Sequence, residues 1–220
     1  GGNPDLKKES GLSYDAGLSW LFSRADLYQI KGSANWFESY VDDWILWLPT
    51  VKGFFSPRNV KRVHAYGVEF QMSVSVQFPH AWRLDFNGTY AWTPSINVGE
   101  KMSVADRSIG KQLPYVPEHS SSITGRLAWR GWGFRYKWAY YSRRYTMSSN
   151  DFSFSGHLPD YFMSNVSLEG LIPFRLLDLQ LKLAVNNLFN EDYLSVLSHP
   201  MPGINFELFA GITLRLWRRS

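Results

Sequence analysis

The stretch Tyr66-Gly67-Val68-Glu69-Phe70-Gln71-Met72-Ser73-Val74-Ser75-Val76-Gln77-Phe78 decides the fold. Tyr66, Val68, Phe70, Met72, Val74, Val76 and Phe78 are apolar, and the residues between them are glycine, polar or charged. A helix would scatter these apolar positions around its circumference, whereas a strand lines them up on one face. A soluble β-sandwich with that face as its core is the competing reading. Two features favour a membrane barrel. Strands in soluble domains average about five to six residues, and this alternation is far longer. Trp82, Trp92, Trp129 and Trp132 also cluster near strand ends, as girdles at the two membrane interfaces require.

Working outward, the same alternation recurs. Trp82, Leu84, Phe86, Tyr90 and Trp92 enclose Arg83, Asp85, Asn87 and Thr89. Trp132, Phe134, Tyr136, Trp138 and Tyr140 enclose Arg135 and Lys137, and Leu177 to Val185 enclose Asp178, Gln180 and Lys182. The pattern predicts nine strands, at about 9–22, 26–46, 61–78, 81–96, 118–130, 132–146, 160–172, 177–189 and 204–217. Short turns are expected near Ser23-Arg24, Pro79-His80, Gly131 and Pro173-Phe174. Long loops are expected at about 47–60, 97–117, 147–159 and 190–203, on the outer side of the membrane. The fold class is therefore all-β, an antiparallel transmembrane β-barrel with its apolar face to lipid. An Arg or Lys turned toward lipid at mid-depth costs about 2–4 kcal/mol, so the charged face must line the lumen.

Ten Trp, twelve Tyr and fifteen Phe make up 17% of the 220 residues, which suits aromatic girdles. Cysteine is absent, which excludes a disulfide framework and thiolate chemistry. The formal charge is +4, but the basic residues are spread mostly singly along the strands with no long Lys/Arg-rich run, so nucleic acid is not expected as a partner. Nothing reads as catalytic or as a cofactor site. His64, His80, His119, His157 and His199 are scattered, no metal-ligand spacing such as HExxH occurs, and no glycines frame Ser120 to Ser122 as a nucleophile elbow. An outer-membrane lipid-modifying barrel is the one enzymatic version compatible with the pattern.

Four motifs, in order along the chain, resemble the TonB-dependent receptor family. Asn3-Pro4-Asp5-Leu6-Lys7-Lys8-Glu9 is similar to its NPxLKPE segment, with Lys8 where Pro is usual. Asn59 with Gly67-Val68-Glu69 resembles the later N…GxE pattern. Asn187-Leu188-Phe189-Asn190-Glu191-Asp192-Tyr193 resembles NLFDKxY, and Pro202-Gly203-Ile204-Asn205-Phe206 resembles PGRxF, with Ile204 in place of Arg. Such barrels usually end on an aromatic residue; here Trp217 is followed by Arg218, Arg219 and Ser220.

The resemblance implies that residues 1–220 are the last nine strands of a barrel of about 22 strands, with the plug domain and TonB box outside this sequence. It also implies outer-membrane localisation and active transport of a scarce, large solute driven by TonB. The close of the chain looks most like cobalamin transporters of Bacteroides-type bacteria. The alternatives are a ferric-siderophore receptor of the same family, or a structural or adhesive barrel through which nothing passes. The implied partners are outer-membrane lipid, the plug and N-terminal strands, TonB, and a surface lipoprotein that captures substrate. For substrate binding, Trp47, Tyr115, Tyr145, Phe152, His157 and His199 are the candidates, because aromatic rings on outer loops offer flat apolar area with a polar tip. The competing reading is that these side chains pack the loops against each other or belong to the outer aromatic girdle. Asn186, Asn187 and Asn190 are expected to organise a strand end and turn.

Overall fold

The computed structural model describes residues 3–49, 54–101, 104, 106–153 and 155–214. Among these described residues, nine long strands form one antiparallel meander: β1 (Ser10–Arg24), β2 (Tyr28–Pro49), β3 (Phe55–Phe78), β4 (Trp82–Trp92), β5 (His119–Trp129), β6 (Trp132–Tyr141), β7 (Tyr161–Pro173), β8 (Leu177–Asn186) and β9 (Asn205–Leu214). Each pairs with its sequence neighbours, so every internal strand is hydrogen-bonded on both sides. The expected ninth strand reached residue 217, but residues 215–220 lie outside the described ones.

The alternation resolves into two faces. Cross-strand pairing puts Val74, Phe86, Tyr136, Val166, Val185 and Phe206 on one face. On the other lie Gln71, Thr89 and Ser122, and further along Arg126, Arg135, Glu169, Lys182 and Glu207. No outward position from Leu12 to Phe22, Tyr28 to Trp36, Val68 to Phe78 or Trp82 to Trp92 carries Asp, Glu, Lys or Arg, and the same holds on β5 to β9. On β4 the outward Trp82 and Trp92 stand ten residues apart. At about 3.3 Å per residue and a tilt of about 40°, that spacing is about 25 Å of depth, the height of an outer-membrane apolar band. Trp82 stacks on Trp129 of β5 with ring centroids 5.5 Å apart. Several charges on the inner face are ion-paired: Glu169 lies 3.3 Å from Arg135 and 3.8 Å from Arg126, Lys182 lies 3.7 Å from Glu207, and Arg83 lies 2.9 Å from Asp85.

Short connections lie at one end. Ala25–Leu27 and Pro79–Ala81 are single 3-10 turns, and Arg130-Gly131 is a two-residue hairpin turn with φ of 43° and 90°. Positive φ at both central positions matches the strand twist, and Gly131 supplies one of them without a Cβ clash.

Two expectations are corrected. Most of the loop expected at 47–60 is strand: β2 and β3 run 22 and 24 residues and stay paired up to Pro49 opposite Phe55. A spanning strand needs only about 9–11 residues, so this hairpin stands well clear of the bilayer. The contiguous apolar residues Trp44 to Leu48, with Pro49 and Pro57, hide the alternation there. Outward residues change character at this height: Glu38 pairs with His64 at 2.8 Å and Asp42 with Arg62 at 3.4 Å. Second, β4 ends at Trp92, and Ser95–Asn97 forms a separate strand against Val63 to Ala65. The break sits opposite Gly67, where a Cβ would collide with the Trp92 carbonyl.

In the full barrel, a lipid-phase quencher should quench probes attached at Val74→Cys, Leu181→Cys and Leu208→Cys but not at Glu69→Cys, Lys182→Cys or Glu207→Cys; the inverse pattern would overturn the assignment. Unclosed, β1 and β9 would each expose on the order of ten backbone groups to hydrocarbon, at several kcal/mol apiece. Residues 1–220 refolded alone in detergent should therefore give no monomeric, heat-modifiable, protease-resistant barrel.

Candidate functional site

The motif residues act as backbone clamps. Asn59 accepts from the Lys7 N–H at 2.9 Å and donates to the Lys7 carbonyl at 3.1 Å, while Glu9 accepts from the Ile45 N–H at 2.6 Å. The segment before β1 is thereby tied across the β2–β3 hairpin. Asn187 is fully buried with φ of 51°. Its carboxamide accepts from the Glu191 N–H at 2.8 Å and donates to the carbonyls of Glu191 at 2.9 Å and Pro202 at 3.3 Å. Asn190, also at φ of 51°, accepts from the Ile204 N–H at 2.8 Å. Asn tolerates this left-handed backbone because its side chain bonds locally. These asparagines set the loop between β8 and β9, in keeping with the turn chemistry of Asn.

Three loops meet at the long-connection end. The Tyr115 N–H donates to the Tyr145 carbonyl at 2.7 Å. Asn150 accepts from the Gln112 N–H and donates to the Gln112 carbonyl, both at 2.8 Å, joining the loop after β4 to the loop after β6. Arg144–Tyr145 pairs with His157–Leu158, and Leu158 is fully buried beneath. Arg144 Nη2 donates to the Leu194 carbonyl at 2.8 Å, and Tyr161 stacks on Tyr193 at 4.7 Å, bringing in the third loop.

Four of the six candidate residues come together here. Tyr145 meets Phe152 edge-on at 5.8 Å, Phe152 lies 6.3 Å from the His157 ring, and Tyr115 adjoins through its backbone. Tyr115 is a strut: its hydroxyl bonds the Leu197 backbone, and burial raises its pKa above the ordinary phenol value. His157 Nδ1 faces the Ser153 carbonyl at 3.1 Å, so that nitrogen carries the proton. Phe152 is 65% exposed, with the Arg143 guanidinium 5.3 Å above its ring, and presents the corner's open face. Trp47 sits apart on the β2–β3 hairpin opposite Pro57, and His199 lies exposed in a small hairpin with Val196.

Arg144 carried no signal in the sequence, being one of many scattered arginines. Only 6% of it is exposed; burial lowers its pKa from the ordinary guanidinium value, and no carboxylate among the described residues pairs with it. The described residues hold no cluster of His, Asp and Glu able to bind a metal ion.

The family model described as "TonB dependent receptor-like, beta-barrel" matches residues 1–188. The chain belongs to this family. TonB-dependent receptor barrels are outer-membrane proteins, and as a family they are transporters rather than enzymes. Among curated protein sequences no match is found. Solved structures agree in fold. The ferric-catecholate import receptor Fiu from E. coli is 18% identical with a TM-score of 0.63, over 97% of this chain and 29% of that one. The copper transporter OprC is 17% identical with a TM-score of 0.64, over 96% and 32%. The ferric yersiniabactin uptake receptor FyuA from Yersinia pestis is 18% identical with a TM-score of 0.57, over 93% and 29%. This TonB-dependent receptor chain thus spans about a third of the length of those proteins or less.

The clamps give a contrast in stability. Asn187→Ala in the full receptor should cost about 2–3 kcal/mol, because it removes three hydrogen bonds that the buried carboxamide makes to the backbone of Glu191 and Pro202. Asn186→Ala, which removes one exposed amide contact to Asn205 at 3.0 Å, should stay within about 0.5 kcal/mol. Urea unfolding midpoints distinguish the two.

Proposed function

We propose that this chain forms nine strands of the wall, and four of the outer connections, of a transporter of about 22 strands whose plug and TonB box lie outside this sequence. The observation that carries this reading is the outer rim: three loops knitted by side-chain and backbone bonds above a wall that is polar inside and free of charge outside. Such a rim holds a solute at the mouth, and the wall gives it a wet path. TonB, acting through the plug, would release the solute inward; no bond of the solute is made or broken. The residues that meet it are Phe152, His157 and Tyr145 at the loop corner, with Trp47 and His199 on separate projections and Tyr115 behind as support. The hairpin raised by β2 and β3 offers a place for a surface lipoprotein that delivers the solute.

For the solute, the motif resemblance favours cobalamin, whose flat corrin suits an exposed aromatic corner; a ferric siderophore is the alternative. Cells carrying the full receptor should take up labelled cyanocobalamin only with TonB and an energised inner membrane. Uptake of a ferric siderophore instead would change the solute and keep the mechanism. Solute capture that ignores TonB would point to an adhesive barrel. Shortening the loop at 147–159 should weaken binding about tenfold or more, the equivalent of about 1.4 kcal/mol, with heat-modifiable migration unchanged. Unchanged affinity would place the ligand elsewhere, on the plug first.

A further inference from the structure

Arg144 is the point where the three loops join, yet its bonding is incomplete. Nη2 is held by the Leu194 carbonyl at 2.8 Å, and the guanidinium carbon lies 4.9 Å from the centre of the Tyr161 ring. Nε, by contrast, is buried and has no partner, the one such side-chain atom among the described residues. The side chains around it are aromatic: Tyr161 is packed against Tyr141 at 5.4 Å and Tyr193 at 4.7 Å. Its electrostatic neighbours are Tyr161, Tyr141 and Tyr115. The acidic groups of the described ion pairs all serve other cations. A buried guanidinium normally has a carboxylate or phosphate facing its fork, because an uncompensated charge away from water is costly.

Resting on the transport reading above, we propose that Arg144 is the seat for one oxyanion group of the solute, a carboxylate or phosphate, and that its arrival holds the three loops closed. The anion supplies the charge that the site lacks and the acceptor that Nε lacks. Without it, the closed arrangement leaves a cation desolvated, so the loops gain by parting and letting water reach Arg144. With it, the loops after β4, β6 and β8 are drawn onto one point, since the same side chain already grips Leu194. Anion binding and loop closure are then linked, and each favours the other by the same factor. An acidic side chain from another part of the receptor could fill the seat with the same chemistry, and the test separates that source from a free anion.

The experiment uses the purified full receptor with inorganic phosphate as the probe, at constant ionic strength set with chloride. Proteinase K cleavage within the loop at 147–159 is the readout. Saturable protection by phosphate is expected in the wild type. Arg144→Met should weaken it about tenfold or more, and Arg144→Lys, which keeps the charge without the fork, should be intermediate. Asn150→Ala loosens the loop contact without touching the guanidinium and should keep phosphate dependence over a lower baseline. It also serves as the control if Arg144→Met does not assemble, with Arg144→Lys then carrying the comparison. The proposal fails if phosphate gives the wild type no protection, as an internal acidic partner would dictate, or if protection is the same in all variants. TonB-dependent uptake surviving either failure would leave the transport reading standing without this seat.

Discussion

A backbone N–H or carbonyl in hydrocarbon has no water to turn to, and the rest of the structure depends on that constraint. Strands can cross a bilayer only if each is paired on both sides. β2 to β8 meet the requirement within this chain. β1 and β9 meet it only with strands beyond it, so the sheet is part of a larger closed wall. Once every strand is locked into a ladder, side chains have two directions available, lipid or lumen. The cost of an unpaired charge in lipid then sorts the chain residue by residue.

Above the membrane the constraint changes from hydrocarbon to water, and the architecture changes with it. The outward face of β2 and β3 passes from Trp36 and Val68 to Glu38, His64, Asp42 and Arg62 within a few residues. The connections beyond β4, β6 and β8 no longer need continuous ladders. They are held by short pairings and by asparagine side chains that substitute for backbone partners, as Asn150, Asn187 and Asn190 do. A rim built this way is ordered without continuous ladders, as the proposed capture and release of a solute would require.

The aromatic content serves two purposes. Trp82 and Trp129 stack at the short-turn end of the wall, and with Trp92 and Tyr90 toward the long-loop end they mark the limits of the lipid band. Tyr141, Tyr161 and Tyr193 instead pack against one another beside Arg144, where their rings shield a cation from water. The same residue types therefore anchor the wall in lipid at one height and bury the loop junction at another.

What the sequence by itself determined was the wall: strand number, the two faces and the alternation of short and long connections. These are legible because a strand repeats every two residues, and a one-residue slip would turn Glu69 or Arg135 toward lipid. The motif asparagines were legible too, since their chemistry is mostly local. Only the tertiary structure decided the rest. It showed the expected loop at 47–60 to be a raised hairpin, because pairing between β2 and β3 continues where apolar alternation has stopped marking it. It tied Asn59 to Lys7, 52 residues away in the chain. It drew Tyr115, Tyr145, Phe152 and His157 to one corner while leaving Trp47 and His199 outside it, and it buried Arg144 among tyrosines. Such partnerships depend on where loops of different strands converge in space, and no periodicity along one strand encodes that.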